Sequence, residues 1–304
     1  MDYSILILNF NGAELLSSTI PHTLEVMKDC PFSGELMVVD NCSTDHSLDI
    51  ATQYTCQGLR WFACKKNRVL ISYNEAAQTA RGRVIILLNN DEWIDHKFIC
   101  KVLEQFKKDT KDLFCVIPMS LNENNSQYQG GLIGLEFKHG HYWILHDFKE
   151  NQRKVSQTVV IGCLGAYDRK KFIEIGGFEP LLLPFYWEDA DLSYRASKRG
   201  WKCRYVPEAI TYHRNQATIS KFNKSWINMI NRRNKLLFFY LNCNDEIHWL
   251  QHLLKFPAFA MKELFKGRVD YFKALGWCLI NWSQIYNRRK KRNAKNCLPD
   301  SELI

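Results

Sequence analysis

Several segments of this sequence set polar groups directly after apolar runs, where they could do chemistry. Leu87-Leu88-Asn89-Asn90-Asp91 is a strand-like run ending on a carboxylate. Such a carboxylate can hold Mg²⁺ or Mn²⁺ against diphosphate oxygens, because these hard cations take oxygen ligands and keep several waters. A strand-end Asp also caps helices, so this segment alone leaves both readings open. Val38-Val39-Asp40-Asn41-Cys42-Ser43-Thr44-Asp45 offers Asp40 as an acceptor for a nucleobase imide or a ribose hydroxyl, while Ser43, Thr44 and Asp45 suit a helix cap. Phe185-Tyr186-Trp187-Glu188-Asp189-Ala190-Asp191 feeds three aromatics into three carboxylates. Asp189 there reads as a general base beside a wall on which a sugar can stack. Its structural alternative is dipole capping, with Asp191 pairing to Arg195 at i+4. His213 can complete a metal site with Asp91, or join Arg214 in steadying a departing phosphate, although a lone histidine is more often structural.

The elements that must carry these residues follow from the hydrophobic spacing. Tyr3–Leu8, Glu35–Val39, Arg60–Ala63 and Val84–Leu88 read as strands. Ala13–Lys28, His46–Tyr54 and Asn74–Arg81 read as helices, the second opened by Ser43, Thr44 or Asp45 and the third stopped at Gly82. Alternation of this kind predicts an α/β fold with a mainly parallel sheet and helices on both faces. Asn9, Asn11, Asp40, Asn41 and Asn89–Asp91 then fall at the carboxyl ends of neighbouring strands, the edge where open α/β sheets bind ligands. From Leu113 to Arg169 the pattern is weaker, with strand-like pieces at Leu113–Pro118, Tyr142–Leu145 and Thr158–Gly162. We expect there an acceptor-facing insertion that continues the sheet. Asp189–Lys198 is predicted as a helix ended by Gly200, and Lys202–Val206 as a strand before Pro207, with Ala209–Tyr212 strand-like as well.

After about Ser220 the chain turns helical, aromatic and basic, so the expected organisation is a catalytic domain over 1–220 and a C-terminal extension over 221–304. The chain has 304 residues, a 46% hydrophobic content and a formal charge of +9, part of it in Arg288-Arg289-Lys290-Lys291-Arg292. Basic groups beside Trp, Tyr and Leu in Ser225–Cys243 and Trp277–Tyr286 suit a membrane headgroup boundary. Packing on the catalytic domain is the alternative. Nucleic acid is not expected as a partner, since the motifs contain no nucleic-acid module. The 11 cysteines form no C-x-x-C pair or zinc-type cluster, and reduced, mostly buried thiols are expected. The N-terminus lacks the pattern of a signal peptide, and no apolar run is long enough to span a bilayer. The expected location is the cytoplasm, with any membrane contact peripheral and at the inner face.

Taken in order, these segments resemble glycosyltransferase family 2, enzymes of the GT-A fold, over about residues 4–220. The resemblance is carried by Ser4-Ile5-Leu6-Ile7-Leu8-Asn9-Phe10-Asn11-Gly12, by the Asp40 and Asp91 segments, by Gly162-Cys163-Leu164-Gly165-Ala166 and by Ile175-Gly176-Gly177-Phe178. Trp187-Glu188-Asp189-Ala190-Asp191-Leu192, Val206-Pro207-Glu208-Ala209 and His213 complete the set. It implies a Rossmann-like sheet binding a UDP-, dTDP- or GDP-linked sugar through Asn9, Asn11, Asp40, Asn67, Asn74, Asn90 and Asp91. By the same resemblance Asp91 and His213 hold Mg²⁺ or Mn²⁺, and Asp189 is the base of an inverting transfer with Glu188 orienting base or acceptor. Gly165, Ala166, Trp187 and Glu188 would face a saccharide or lipid-linked acceptor, as in rhamnosyltransferase-like enzymes of bacterial surface polysaccharides.

Two departures from the family pattern stand out. Asn67-Arg68-Val69-Leu70-Ile71-Ser72-Tyr73-Asn74 keeps two asparagines of a glycine-rich stretch but not its small residues, which implies a bulkier loop at the donor. Asn89 replaces the first carboxylate of the metal motif, which implies weaker metal binding. A nicotinamide dehydrogenase would need G-x-G-x-x-G after the first strand, and a nucleotidyltransferase a glycine- and arginine-rich loop; neither is present. The alternative from another class is a catalytically silent scaffold of the same fold that binds nucleotide sugar or lipid.

Overall fold

A computed structural model describes residues 1–304 apart from 124–126, 147–152, 215–221 and 294–296. The first strand, β1 (Tyr3–Asn9), is followed by α1 (Ala13–Lys28), β2 (Gly34–Asp40), α2 (Ser47–Thr52), β3 (Arg60–Ala63), α3 (Ser72–Thr79) and β4 (Val84–Asn89). β1 pairs in parallel with β2 and β4, and β2 with β3. Alternate residues on β1 go to opposite faces, as the pleat requires. Ile5 and Ile7 pack with Leu16 and Ile20 of α1, while Leu6 packs with Tyr73 and Ala76 of α3. Gly82 is required where α3 returns to β4, because a Cβ there would sit 2.2 Å from the Tyr3 carbonyl carbon.

Beyond β4 come β5 (Glu92–Ile94), α4 (Phe98–Lys108), β6 (Leu113–Asn122), β7 (Tyr128–Gly130), the hairpin β8 (Gly134–Lys138) and β9 (His141–Leu145), β10 (Ser156–Thr158) and β11 (Ala166–Asp168). Next are α5 (Arg169–Ile175), α6 (Glu188–Lys198) and β12 (Lys202–His213). The main sheet runs β10-β12-β6-β11-β4-β1-β2-β3, with β5 added on β12 and β7 on β6. Its long pairings are parallel and its antiparallel ones short, so the mixed, mainly parallel α/β sheet agrees with expectation. The chain ends in α7 (Lys224–Asn242), α8 (Glu246–Phe265), α9 (Val269–Ile280) and α10 (Trp282–Asn293).

Several expectations are corrected. The helix expected over His46–Tyr54 spans only Ser47–Thr52, and Ser43 and Thr44 do not cap it. Asp45 accepts the Ser47 N–H, whereas Ser43 and Thr44 bond Asn9 and Asn11. The third helix lies over Ser72–Thr79, two residues earlier than its spacing predicts. The piece at Thr158–Gly162 is strand only at its first residue, and Ile161 makes an isolated bridge to Leu132. Within the insertion β6 and β11 continue the sheet, but β8 and β9 form a separate one. Lys202–Val206 and Ala209–Tyr212 are one strand with a register shift after Val206. Pro207 has no N–H for the ladder, which explains the irregularity. Sequence reading missed α4 and β11, and the cysteines divide evenly between buried and half-buried, with Cys56 exposed.

The C-terminal part departs furthest. Leu236–Leu241 form a third core with Leu181, Leu182, Ala190 and Tyr194, so α7 packs on the sheet-bearing part. The apolar side chains of that stretch are not free for a membrane, while Trp226 in the first turn of α7 is exposed. Part of the basic run is built in as well, although Arg288, Lys290 and Lys291 are exposed. Arg292 bonds both Asp191 and Glu179, and Arg289 donates to the Tyr240 carbonyl. The expected boundary at 220 and 221 lies outside the described residues. No described helix is long and apolar enough to cross a membrane.

Candidate active site

The carboxyl edge of the sheet carries a closed polar network. Asn9 is buried at the end of β1, its Nδ2 donating to Ser43 Oγ at 3.1 Å and to Asp40 Oδ1 at 3.4 Å. Its Oδ1 accepts from Asn90 Nδ2 at 2.8 Å. Asp40 Oδ2 accepts the Ser43 N–H at 3.1 Å. Asn11, with φ 48°, accepts the Thr44 N–H at 2.7 Å and donates its own N–H to Ser43 Oγ. These bonds tie the loop after β2 to the ends of β1 and β4 and hold that edge in one arrangement. Asn41, expected at this edge, is buried and donates to the Val69 carbonyl, joining the edge to the loop before α3.

Two residues expected at the nucleoside pocket are used otherwise. Asn67 accepts the Val69 N–H at 3.1 Å in its own turn. Asn74 donates to the Phe178 carbonyl at 2.9 Å and accepts the Phe178 N–H at 2.8 Å, so it staples the Gly176–Phe178 loop. Gly177, with φ +61°, leaves room for that staple, since a Cβ there would lie 2.1 Å from Asn74 Oδ1.

A second group of polar atoms is not closed. Asp91 Oδ1 lies 3.6 Å from His213 Nε2, beyond a hydrogen bond but within reach of one shared cation. His213 Nδ1 is buried without a hydrogen-bond partner. β5 and β12 place Glu92 opposite His213. Glu92, which sequence reading missed, is buried and accepts the Asn89 N–H at 2.7 Å. Burial pushes its carboxyl up to about 7, against the pull of His213. Asp91 is also raised by burial and drawn back by His213. Arg214 stacks on Trp93 and bonds Glu123 and Ser18, so its guanidinium is engaged away from Asp91.

The start of α6 faces the same edge. Asp189 Oδ1 and Glu188 Oε2 are buried and unpartnered. Burial, then the charge of Glu92, raises Asp189 to about 7; burial and Asp189 raise Glu188 as well. A carboxyl titrating there can accept a proton near neutral pH. The aromatic segment before it is held by α7. Asn234 Nδ2 donates to the Leu182, Phe185 and Tyr186 carbonyls at 2.6–2.9 Å, and Arg233 to the Leu183 carbonyl. Trp187 Nε1 donates to Asn231 at 2.8 Å. The turn needs this support, because Tyr186 and Trp187 both have positive φ.

Of the residues expected to face an acceptor, Trp187 and Glu188 begin α6 and are half-buried. Gly165 instead packs against β6, where a Cβ would meet the Val116 carbonyl oxygen at 2.5 Å. Ala166 is fully buried between Ile86 and Val116. It is sheet core, not a contact surface, and the small side chain reflects strand packing.

The matching family model is that of glycosyl transferase family 2, over residues 4–176. More than half of the chain lies inside that match, which runs through Asn9, Asp40 and Asp91. The chain belongs to glycosyl transferase family 2. Similar solved structures share the GT-A fold. One is GalNAc-T7 with UDP, GalNAc and Mn²⁺, at TM-score 0.61 and 21% identity, covering 81% of this chain and 48% of that one. The chain thus spans about half the length of that relative. Another is Staphylococcus aureus TarS 1–349 with UDP-GlcNAc, at TM-score 0.58 and 14% identity, covering 91% and 80%. A third is the mannosyltransferase PcManGT of Pyrobaculum calidifontis with GDP-Man and Mn²⁺, at TM-score 0.54 and 12% identity, covering 92% and 75%. No curated protein sequence matches the chain.

The family 2 match stops before Glu188, Asp189 and His213, so their place rests on the geometry. The donor set of Asp91 and His213 fits a divalent cation of the kind present in two of these structures, since two protein ligands leave positions for diphosphate oxygens and water. Among the described residues, the group of three compatible ligands, Cys243, His248 and Asp300, lies in the C-terminal helices. Asp300 is occupied by Tyr194, Lys198 and two backbone N–H groups, which disfavours a cation there.

Proposed function

We propose that this glycosyltransferase moves a sugar from a nucleoside-diphosphate donor, UDP-, dTDP- or GDP-linked, to a hydroxyl of a saccharide or lipid-linked acceptor, with inversion. The observation that carries the reading is the half-buried Asp189 carboxyl, whose Oδ1 is buried without a partner and which feels the charge of Glu92, near the sheet edge that holds Asp91 and His213. Asn9, Asn11, Asp40 and Asn90 form the nucleoside floor, and Trp187 offers an aromatic wall to the acceptor. Glu188 orients the base or the acceptor. Asp189 takes the proton of the acceptor hydroxyl as its oxygen attacks the anomeric carbon and the bond to the diphosphate breaks. A divalent cation, Mg²⁺ or Mn²⁺, held by Asp91 and His213 would offset charge on the leaving diphosphate. One displacement inverts the anomeric configuration. The reading places the protein in the cytoplasm, at the membrane face where a lipid-linked acceptor would lie.

The test is donor consumption, followed as nucleoside diphosphate released from a panel of nucleotide sugars in the presence of Mn²⁺. Asp189→Asn should slow turnover about 10²- to 10⁴-fold while leaving nucleotide binding intact. Folded protein that binds a nucleotide but consumes no donor would overturn the transfer reading in favour of the silent scaffold.

A further inference from the structure

α8 exposes a long apolar face. At about 100° per residue, Ile247, Leu250, Leu254, Met261 and Phe265 fall within one arc. Leu254 is 71% exposed and Phe265 84%. The opposite face, through His252, Phe259 and Glu263, packs into the protein. Along one border of the apolar arc run Lys255, Lys262 and Lys266 at helical spacing. From 246 to 293 the chain has ten Lys and Arg against three Asp and Glu.

A cavity of about 270 Å³ opens beneath that lysine border, lined by Lys262, Lys266, Lys235, Arg232 and Arg268. Its one carboxylate, Glu263, is bonded by both arginines, and Asp270 takes the second donor of Arg232. Lys235, Lys262 and Lys266 have no ion-pair partner among the described residues, so the cavity keeps excess positive charge. Lys235 sits over the Trp143 ring, and its ammonium is pushed down to about 7 by burial and by Arg232. Two nearly fully buried lining residues, His141 and Tyr271, each carry an unpartnered polar atom. The two buried atoms call for a hydrogen-bond partner that an anion or water can supply, while Lys262 and Lys266 are exposed and bring positive charge to the rim of the cavity.

We infer that α8 is a docking surface for an anionic bilayer, its apolar face entering the acyl boundary while the adjoining basic cavity receives a lipid phosphate. A second copy of the chain would cover the apolar face but would leave the cations unanswered. An anionic headgroup answers both at once, since the lysine border can extend to phosphates beside an immersed face. This deepens the reading of a lipid-borne acceptor, yet its test needs neither donor nor turnover. Failure of one therefore leaves the other standing.

The experiment is co-sedimentation of the full chain with vesicles of phosphatidylcholine alone and of phosphatidylcholine mixed with phosphatidylglycerol. The expected result is binding to the mixed vesicles well above binding to the neutral ones. Leu254→Ser with Phe265→Ser should abolish binding; both side chains are exposed, so an unchanged melting temperature verifies the fold. Lys262→Gln with Lys266→Gln should remove the preference for phosphatidylglycerol, about fivefold for each lysine. Binding unaffected by either pair of substitutions would overturn the inference. So would absence of vesicle binding, whether the protein instead binds inorganic phosphate alone or self-associates through α8 in sedimentation velocity.

Discussion

The first turn of α6 carries three carboxylates, and two of them, Asp189 and Asp191, stand two residues apart in opposite states. Asp191 faces the C-terminal helices, and Arg292 and Asn242 from there and Arg195 from α6 itself donate to it at 2.7–2.8 Å. Those cations hold its carboxyl down to about 2 against full burial. Asp189 faces the sheet edge, is given no cation, and titrates near 7. The same helix dipole acts on both, so the difference comes from neighbours. A buried carboxylate with such partners is architecture, whereas the proposed base, Asp189, has none of them.

The contrast is open to attack from its structural side first. Arg292→Met would leave Asp191 and Glu179 short of a buried cation, and should lower unfolding stability by about 3–5 kcal/mol in denaturant titration. A loss no larger than that of an exposed lysine would mean that Arg292 adds no more than a surface charge. Asn234→Ala removes three bonds to the aromatic turn, and should cost about 1–3 kcal/mol. It should also raise the acceptor KM more than the donor KM, which steady-state kinetics with each substrate varied can separate.

The smaller effects lie in pH dependence. Asp189 binds its proton more tightly folded than unfolded, so folding stability attributable to it falls as pH rises from its ordinary 3.8 to about 7. Asp189→Asn should therefore gain stability at neutral pH while losing turnover. Asp191 has the opposite sign: its contribution is complete above the ordinary 3.8 and is lost as pH falls through about 2. Acid melts of the two Asn variants should diverge in those directions. Turnover should fall as pH drops below about 7, and a cation on Asp91 and His213 should move that limb lower.

How far the sequence could be read follows the same division. The proposed donor edge was legible because each polar group ends or directly follows its own strand, so periodicity alone brings Asn9, Asp40 and Asp91 to one edge. Asn74 misled because its partners, Gly176 and Phe178, are more than a hundred residues away. The support of the acceptor side was illegible for that reason too. Asn234 meets the Leu182 carbonyl across 52 positions, and Arg292 meets Asp191 across 101. Read locally, those residues are only basic and polar groups beside aromatics, a pattern equally suited to a membrane boundary. Glu92 left one local signal, an acidic residue inside a short apolar strand next to Asp91.

The central claim is that the Asp91 and His213 edge binds a nucleoside diphosphate through a divalent cation. Calorimetric titration with UDP, dTDP and GDP, with and without Mn²⁺, tests it most directly, repeated for the best ligand with Asp91→Ala. The account predicts binding of one nucleotide that depends on Mn²⁺ and disappears in the variant; folded protein that binds none of them, or binds equally well without Asp91, would contradict it.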